Sequence, residues 1–182
     1  MIAQQPKRSP RVRREEQARI DSLSVDLASP DAMVRIKARK ALMAIGDRSA
    51  PSLIRLLSHA KPHVRWEAAK ALGGIANPIA ASALVNALED RDIDVRWLAA
   101  EGLVALGREG LRPLLAALLE TEESCWLCEG ALHVCRALAR EKGLRPILRP
   151  LLATLRQPWE KMAVPAAAYA ALSRLQEEGS SR

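Results

Sequence analysis

The sequence has no phenylalanine, a single tyrosine and only nine glycines in 182 residues. Because β-sheets are enriched in aromatic and β-branched residues, this shortage argues against a sheet protein. No apolar run approaches the ~20 residues of a membrane span, and the first residues lack the apolar segment typical of a secretory signal. With only three cysteines as well, the chain is expected to be cytoplasmic, with reduced thiols.

The residues that are abundant indicate a folded helical domain with a charged surface. The chain is 49% hydrophobic and 27% charged, with a net charge of +7. Five of the basic residues and no acidic one lie within residues 1–14, so the remainder is nearly neutral. We therefore expect a basic, flexible tail over 1–14, a folded domain over 15–177 and a flexible C-terminus over 178–182.

Two motifs alternate along the chain at a fixed period. The first begins at Val34, Val64 and Val95, which are 30 and 31 residues apart, and a weaker copy places Trp126 in the register of Trp97. The second motif lies between these copies and begins at Ser49, Ala80, Leu111 and Leu144. Such a period is the signature of a repeat protein.

Both motifs have helical spacing. In the stretch VRWEAAKALGGIA, the apolar residues Val64, Ala68 and Leu72 recur on one face of a helix. A hairpin of about 30 residues cannot bury this face alone but can bury it by stacking. The pattern predicts an all-α solenoid of about five antiparallel helix pairs, with Pro150 and Pro165 interrupting the helices of a bent last pair.

The repeats resemble a known family. The matching residues are Asp31-x-x-Val34-Arg35 and Ala41-Leu42-x-x-Ile45-Gly46-Asp47, and the resemblance extends over about 20–176. They are similar to HEAT-like repeats, in particular the short bacterial type of the phycobilisome lyase subunits. The resemblance implies an armadillo/HEAT-type superhelix whose second helices line a concave face.

Three of the four tryptophans share one register, nearly opposite the buried stripe: Trp66, Trp97 and Trp126. The resemblance would place them on the concave face. One interpretation is a row of anchors for a partner, since tryptophan is enriched at binding hot spots; the other is packing against neighbouring side chains. The expected binding surface also includes Lys40, Lys70, Glu101, Arg39 and His133.

Other side chains point to structure rather than chemistry. Cys128 and Cys135 are two helical turns apart, on the order of 10 Å, which is too far for one zinc ion to bind both, so core packing is favoured over a metal site. No nucleophile elbow or phosphate-binding loop is present, so we expect neither catalysis nor a cofactor. Arg35, Arg65 and Arg96 recur once per repeat near turn acids such as Asp31 and Asp94, which favours a structural ladder.

These patterns leave three hypotheses for function. The first is a non-enzymatic scaffold or adaptor that binds a protein or peptide in its concave groove. The second, from the resemblance, is an accessory subunit of a lyase or chromophore-handling complex. The third is a nucleic-acid-binding HEAT-like protein, although the excess positive charge lies mainly in the tail. None of them involves a membrane.

Overall fold

The computed structural model describes residues 9–120, 124–157 and 161–180, and within them every regular element is a helix. No helix in these ranges is long and apolar enough to cross a membrane. Short 3-10 turns precede α3, α5 and α10. The α-helices are α1 Pro10–Asp26, α2 Ala32–Ile45, α3 Ala50–Leu56, α4 Pro62–Ile75, α5 Ala81–Ala87, α6 Ile93–Leu106, α7 Arg108–Glu120, α8 Cys125–Leu138, α9 Arg145–Leu155 and α10 Val164–Ser180.

Polar caps and glycines set the ends of the helices that carry the first motif. Asp31, Asp92 and Ser124 precede α2, α6 and α8, and each side chain accepts a hydrogen bond from a backbone N–H of the first turn. Gly46 and Gly107 follow α2 and α6 with φ of 76° and 59°, a region that glycine enters without steric cost. The caps therefore fix the repeat boundaries that the sequence period predicts.

The first helix begins earlier than the expected tail boundary. Ser9 caps α1, and Pro10 occupies its first turn. Arg11, Arg13 and Arg14 consequently lie on α1 rather than before it, whereas the rest of the predicted tail, residues 1–8, lies outside the described residues. Part of the N-terminal positive charge is thus displayed on a helix.

The helices stack as predicted, in five antiparallel pairs around a leucine-rich core. The pairs are α1/α2, α3/α4, α5/α6, α7/α8 and α9/α10, and α2, α4, α6 and α8 pack side by side as one layer. The closest approach in this layer is at Gly73, where an added Cβ would lie 3.3 Å from Gly102 Cα. Glycine at both positions allows α4 and α6 to pack almost backbone to backbone.

The helices of the last pair are not interrupted by proline in the way that the sequence predicted. Pro150 lies inside an unbroken α9, and Pro165 is the second residue of α10, where proline is tolerated. Pro150 removes the N–H that would bond the carbonyl of Pro146, and this carbonyl instead accepts a hydrogen bond from Arg174 of α10 at 3.4 Å. Helix α10 packs on both α7 and α9, so it closes the end of the stack.

A recurring arginine ties each repeat to the turn before it. Arg35, Arg65 and Arg96 each donate to two backbone carbonyls five and six residues earlier. The structural role predicted for them is therefore present, with carbonyl groups as the shared acceptors rather than Asp31 or Asp94. These bonds provide partners for backbone carbonyls of the turns between helices.

Arg65 makes an additional ion pair in the ladder. Its Nε and Nη2 donate to both carboxylate oxygens of Asp90, at 2.6 and 2.8 Å. Burial opposes ionisation of Asp90 and is the largest single influence on its pKa. The hydrogen bonds from Arg65 and from the N–H of Asp92 together outweigh burial, so the pKa of Asp90 is lowered.

We expect Asp90→Asn to reduce the acid sensitivity of the fold. A carboxylate whose pKa is lower in the folded state stabilises the fold above its unfolded pKa, about 3.9. This stabilisation is lost as pH falls through the lower, folded pKa. Urea unfolding between pH 2 and 7 should show a shallower loss of stability below about pH 4 in the variant. An unchanged pH profile would mean that the Arg65–Asp90 ion pair does not contribute to the pH dependence of stability.

Candidate functional site

Two of the three aligned tryptophans lie open on the surface. Trp97 is 55% exposed and Trp126 is 43% exposed, although both are large apolar side chains in well-formed helices. Their register opposite the buried stripe predicted this position outside the core. Large exposed aromatic side chains that sit close together mark a candidate interaction site.

Trp66 has different surroundings. It is half-buried, with the ammonium of Lys70 4.5 Å and the guanidinium of Arg39 5.5 Å from the centre of its ring. Cations at these distances are attracted by the aromatic ring. Trp66 is thus partly covered by charged neighbours, and the packing alternative describes it better than it describes Trp97 or Trp126.

A small apolar hollow lies between Trp97 of α6 and Trp126 of α8, and we call it the tryptophan pocket. Its volume is about 240 Å³, with a floor formed by Leu88, Ala100 and Gly130. A Cβ added at Gly130 would lie 2.8 Å from a methyl group of Leu88. The lack of a side chain at Gly130 therefore keeps the hollow open.

Neighbouring polar groups hold the two tryptophan rings in place. The guanidinium of Arg96, which is anchored on the preceding turn, lies 4.6 Å from the ring of Trp126. The ring of His133 lies 4.6 Å from that of Trp97, and His133 Nε2 is 2.6 Å from a carboxylate oxygen of Glu101. Rings fixed in this way lose little side-chain entropy when a partner binds.

The predicted site residues therefore fall into two groups. Trp97, Trp126, Glu101 and His133 meet around the tryptophan pocket. A second group surrounds Trp66 and contains Arg39 and Lys70. Lys40 is exposed on α2.

Arg39 is less available to a partner than its position in the sequence indicated. Its side chain is only 12% exposed, and it donates to the buried carboxylate of Glu67. Arg35 approaches the same carboxylate at 3.5 Å. The charge of Arg39, which was expected on the binding surface, is therefore neutralised by Glu67, which the sequence had not singled out.

Several pocket residues were not predicted as part of the site. Leu88 and Ile93 come from the α5 end and the α6 start, and Glu129 and Gly130 from α8. Gly130 occupies the register of Lys70 and Glu101. A glycine at a position where the other repeats have long side chains indicates open space beside the helix. This glycine was the feature of the sequence that could have predicted the pocket.

The cysteines do not form a site with His133. Cys135 is buried in the core, and burial raises the pKa of its thiol to about 12, which keeps the group protonated and unreactive. Cys128 packs at the edge of the core, and Cys125 is exposed. Across the described part of the chain, no three potential metal ligands come together.

A family model and a solved structure share the architecture of this chain. Residues 20–92 match the family described as HEAT repeats. One chain in the structure of the complex of CpcE and CpcF of phycocyanin lyase from Nostoc sp. PCC7120 is 24% identical to this chain. The match covers 85% of this chain and 98% of that one, with a TM-score of 0.58. A designed armadillo repeat protein in complex with peptide (KR)4 is 21% identical over 87% of both chains, with a TM-score of 0.43. The search of curated proteins finds no match.

Proposed function

We propose that this chain, whose residues 20–92 match the family of HEAT repeats, is a non-catalytic interaction module whose tryptophan pocket anchors a protein or peptide partner. The observation that carries the proposal is the pair of exposed, immobilised rings of Trp97 and Trp126 on either side of an apolar hollow. Tryptophan is enriched among residues that dominate binding energy, and such anchors act best beside a pocket. The partner is expected to insert one large apolar side chain between the rings.

The size of the pocket supports a side chain rather than a free ligand. Pockets for drug-sized molecules have volumes of about 300–1,000 Å³, whereas the tryptophan pocket has about 240 Å³. A single leucine, methionine or aromatic side chain suits this space better than a chromophore. The pocket thus favours the adaptor hypothesis over the chromophore-handling one.

The charge around the pocket argues against nucleic acid as its occupant. Glu129 lines the pocket, and Glu101 lies beside it with His133. Arg96 also lines the pocket, against the ring of Trp126, but the two carboxylates offset its charge and repel a phosphate backbone. Nucleic-acid sites instead surround their aromatic residues with several basic ones. A protein segment with an apolar anchor meets no such repulsion.

The packing of the helices supports a concave location for the pocket. Helix α4 packs on α6 far more extensively than α3 packs on α5, and α2 packs on α4 more than α1 packs on α3, whereas α6 packs on α8 only slightly more than α5 packs on α7. A stack whose two layers are unequally spaced bends toward the more closely spaced layer. The layer of α2, α4, α6 and α8 is therefore the inner one in our proposal, and a partner chain lies along it.

The lyase-subunit hypothesis gains only the fold from the comparison. At 24% identity, the similarity to the CpcE and CpcF complex shows a shared architecture, and a fold hosts many functions. No lyase activity is transferred to this chain. A cytoplasmic location likewise stays a prediction.

Peptide selection provides a direct test. Short random peptides displayed on phage should be selected by the protein, and the consensus should contain a large apolar residue. A labelled consensus peptide should bind Trp97→Ala or Trp126→Ala about 2 kcal/mol more weakly, which is roughly 30-fold. The melting temperature should hardly change, because these exposed rings contribute little to folding.

Trp66→Ala serves as the matched control for the same peptide. It removes an identical side chain from the neighbouring repeat but leaves the tryptophan pocket intact, so affinity should change by less than about threefold. Peptides that bind Trp97→Ala as tightly as the parent would contradict the proposal. A large fall in the melting temperature of Trp97→Ala would show instead that the ring is structural.

A further inference from the structure

Five arginines face one another across a groove formed by the end of α8 and by α9. Arg145, Arg149 and Arg156 lie at positions i, i+4 and i+11, on one face of α9 and the turn after it, and Arg136 and Arg140 lie opposite them. The groove encloses about 500 Å³. We call it the arginine groove.

The arginines of the groove have no counter-charge among the residues that the structure describes. Within the described residues, no carboxylate lies within 4.0 Å of any of the five, although other arginines of the chain are paired in this way. Like charges four residues apart on a helix are destabilising, and Arg145 and Arg149 form such a pair on α9, with Arg136 and Arg140 close to them at the end of α8. The fold therefore accepts electrostatic repulsion at this place.

The clustering of positive charge in this part of the chain cannot be seen from the net charge of the folded domain. Six basic residues and one acidic residue lie between positions 136 and 156. The rest of the chain after residue 14 consequently has a slight excess of negative charge. The nearly neutral value for the folded domain conceals a strongly basic stretch from the end of α8 through α9.

We propose that the arginine groove is a second binding site, which takes an acidic segment of a protein partner. Guanidinium groups bind carboxylates through two parallel hydrogen bonds, which favours arginine over lysine at such sites. Leu152, Ala139 and Ala153 provide apolar surface between the arginines. This surface suits the aliphatic parts of glutamate and aspartate side chains.

The surroundings favour a protein segment over nucleic acid. Among the residues that the structure describes, no aromatic side chain lines the arginine groove, so these residues offer bases no surface on which to stack. The charged face of α9 is also short, about 16 Å at 1.5 Å per residue, and a duplex would extend far beyond it. An acidic peptide of a few residues matches both its length and its charge.

The arginine groove and the tryptophan pocket lie on one side of α8. Glu129, which lines the tryptophan pocket, and Arg136, which lines the arginine groove, are seven residues apart on α8, so they lie near one line along the helix. They are separated by about 10 Å along the axis, a distance that three or four extended residues cover. One partner chain is therefore able to place an apolar anchor and an acidic stretch at the two sites together.

Fluorescence anisotropy with a labelled oligoglutamate peptide tests the site without knowledge of the natural partner. The parent protein should bind this peptide at low salt, and binding should weaken at about 0.3 M salt because exposed charges are screened. Arg145→Glu/Arg149→Glu should weaken binding at least tenfold. Arg145→Gln/Arg149→Gln should also weaken it and should be at least as stable as the parent, because repulsion is removed.

The matched control applies the same charge change at another basic surface. Arg14→Glu/Arg19→Glu alters two exposed arginines of α1 and should change affinity for the oligoglutamate peptide by less than twofold. An equal loss in this control would overturn the proposal, since net charge alone would then explain binding. Stronger binding of tripolyphosphate or of a short DNA duplex would overturn it as well.

The two proposed sites are separated by one further measurement. Trp97→Ala should leave oligoglutamate binding unchanged, whereas the arginine variants should leave the affinity for a purely apolar peptide unchanged. Loss of oligoglutamate binding in Trp97→Ala would contradict a distinct arginine site. Failure of the tryptophan pocket to bind peptides would leave the result for the arginine groove standing.

Discussion

Replacement of Glu67 by alanine is expected to lower the free energy of unfolding by about 3–5 kcal/mol, the usual cost of breaking a buried ion pair. Glu67 is 4% exposed and lies between α2 and α4, where Arg39 and Arg35 approach its carboxylate. Its removal leaves two poorly exposed guanidinium groups close together without a counter-charge. Urea unfolding at pH 7 measures the difference.

The effect of losing the Glu67–Arg39 ion pair can be distinguished from the effect of losing side-chain volume at position 67. Leu98 and Leu127 occupy the register of Glu67 in α6 and α8, so an apolar side chain fits this position in other repeats. The double variant Glu67→Leu/Arg39→Met should recover most of the lost stability, because it removes Glu67 together with its closer partner. Arg35 keeps its hydrogen bonds to the carbonyls of Ser29 and Pro30. Glu129→Ala, at an exposed position of α8, should change stability by about 0.5 kcal/mol or less. A loss in Glu67→Ala as small as in this control would refute the argument.

Gly110→Val is expected to cost about 3 kcal/mol, at the upper end for overpacking. Gly110 is buried in α7, and a Cβ added there would lie 2.7 Å from the backbone oxygen of Leu103 and 3.1 Å from Cβ of Leu106. Both atoms belong to the last turn of α6 and cannot rotate away. The variant therefore has to push α7 away from α6, which opens the core between two pairs.

The matched control for this substitution is Gly143→Val, in the exposed turn before α9. There the new Cβ would meet only the guanidinium end of Arg108, at 3.2 Å, and this flexible group can move. Its effect should stay within about 0.5 kcal/mol. Thermal unfolding of both variants gives the comparison, and similar melting temperatures would show that Gly110 does not fix the distance between α6 and α7.

The sequence by itself determined the architecture because each repeat contains the residues that start, end and pack its own helices. The period of the valines, the stripe of small and aliphatic residues and the polar caps act within one helix or between adjacent repeats. The same local register placed Trp97 and Trp126 outside the core, since the direction of a side chain on a helix depends only on its position along the helix. The helical solenoid and the candidate face were predictable for this reason.

The tertiary structure decided which of these side chains are open and which are covered. Trp66 shares its register with Trp97, yet Arg39 and Lys70 lie against its ring, and Glu67 holds Arg39 in place. The packing of the last pair of helices also differs from that of the earlier repeats, because α10 packs on α7 as well as on α9. Periodicity gives the direction of a side chain but not the distance to the next helix, and that distance determines pockets, ion pairs and the grouping of the arginines.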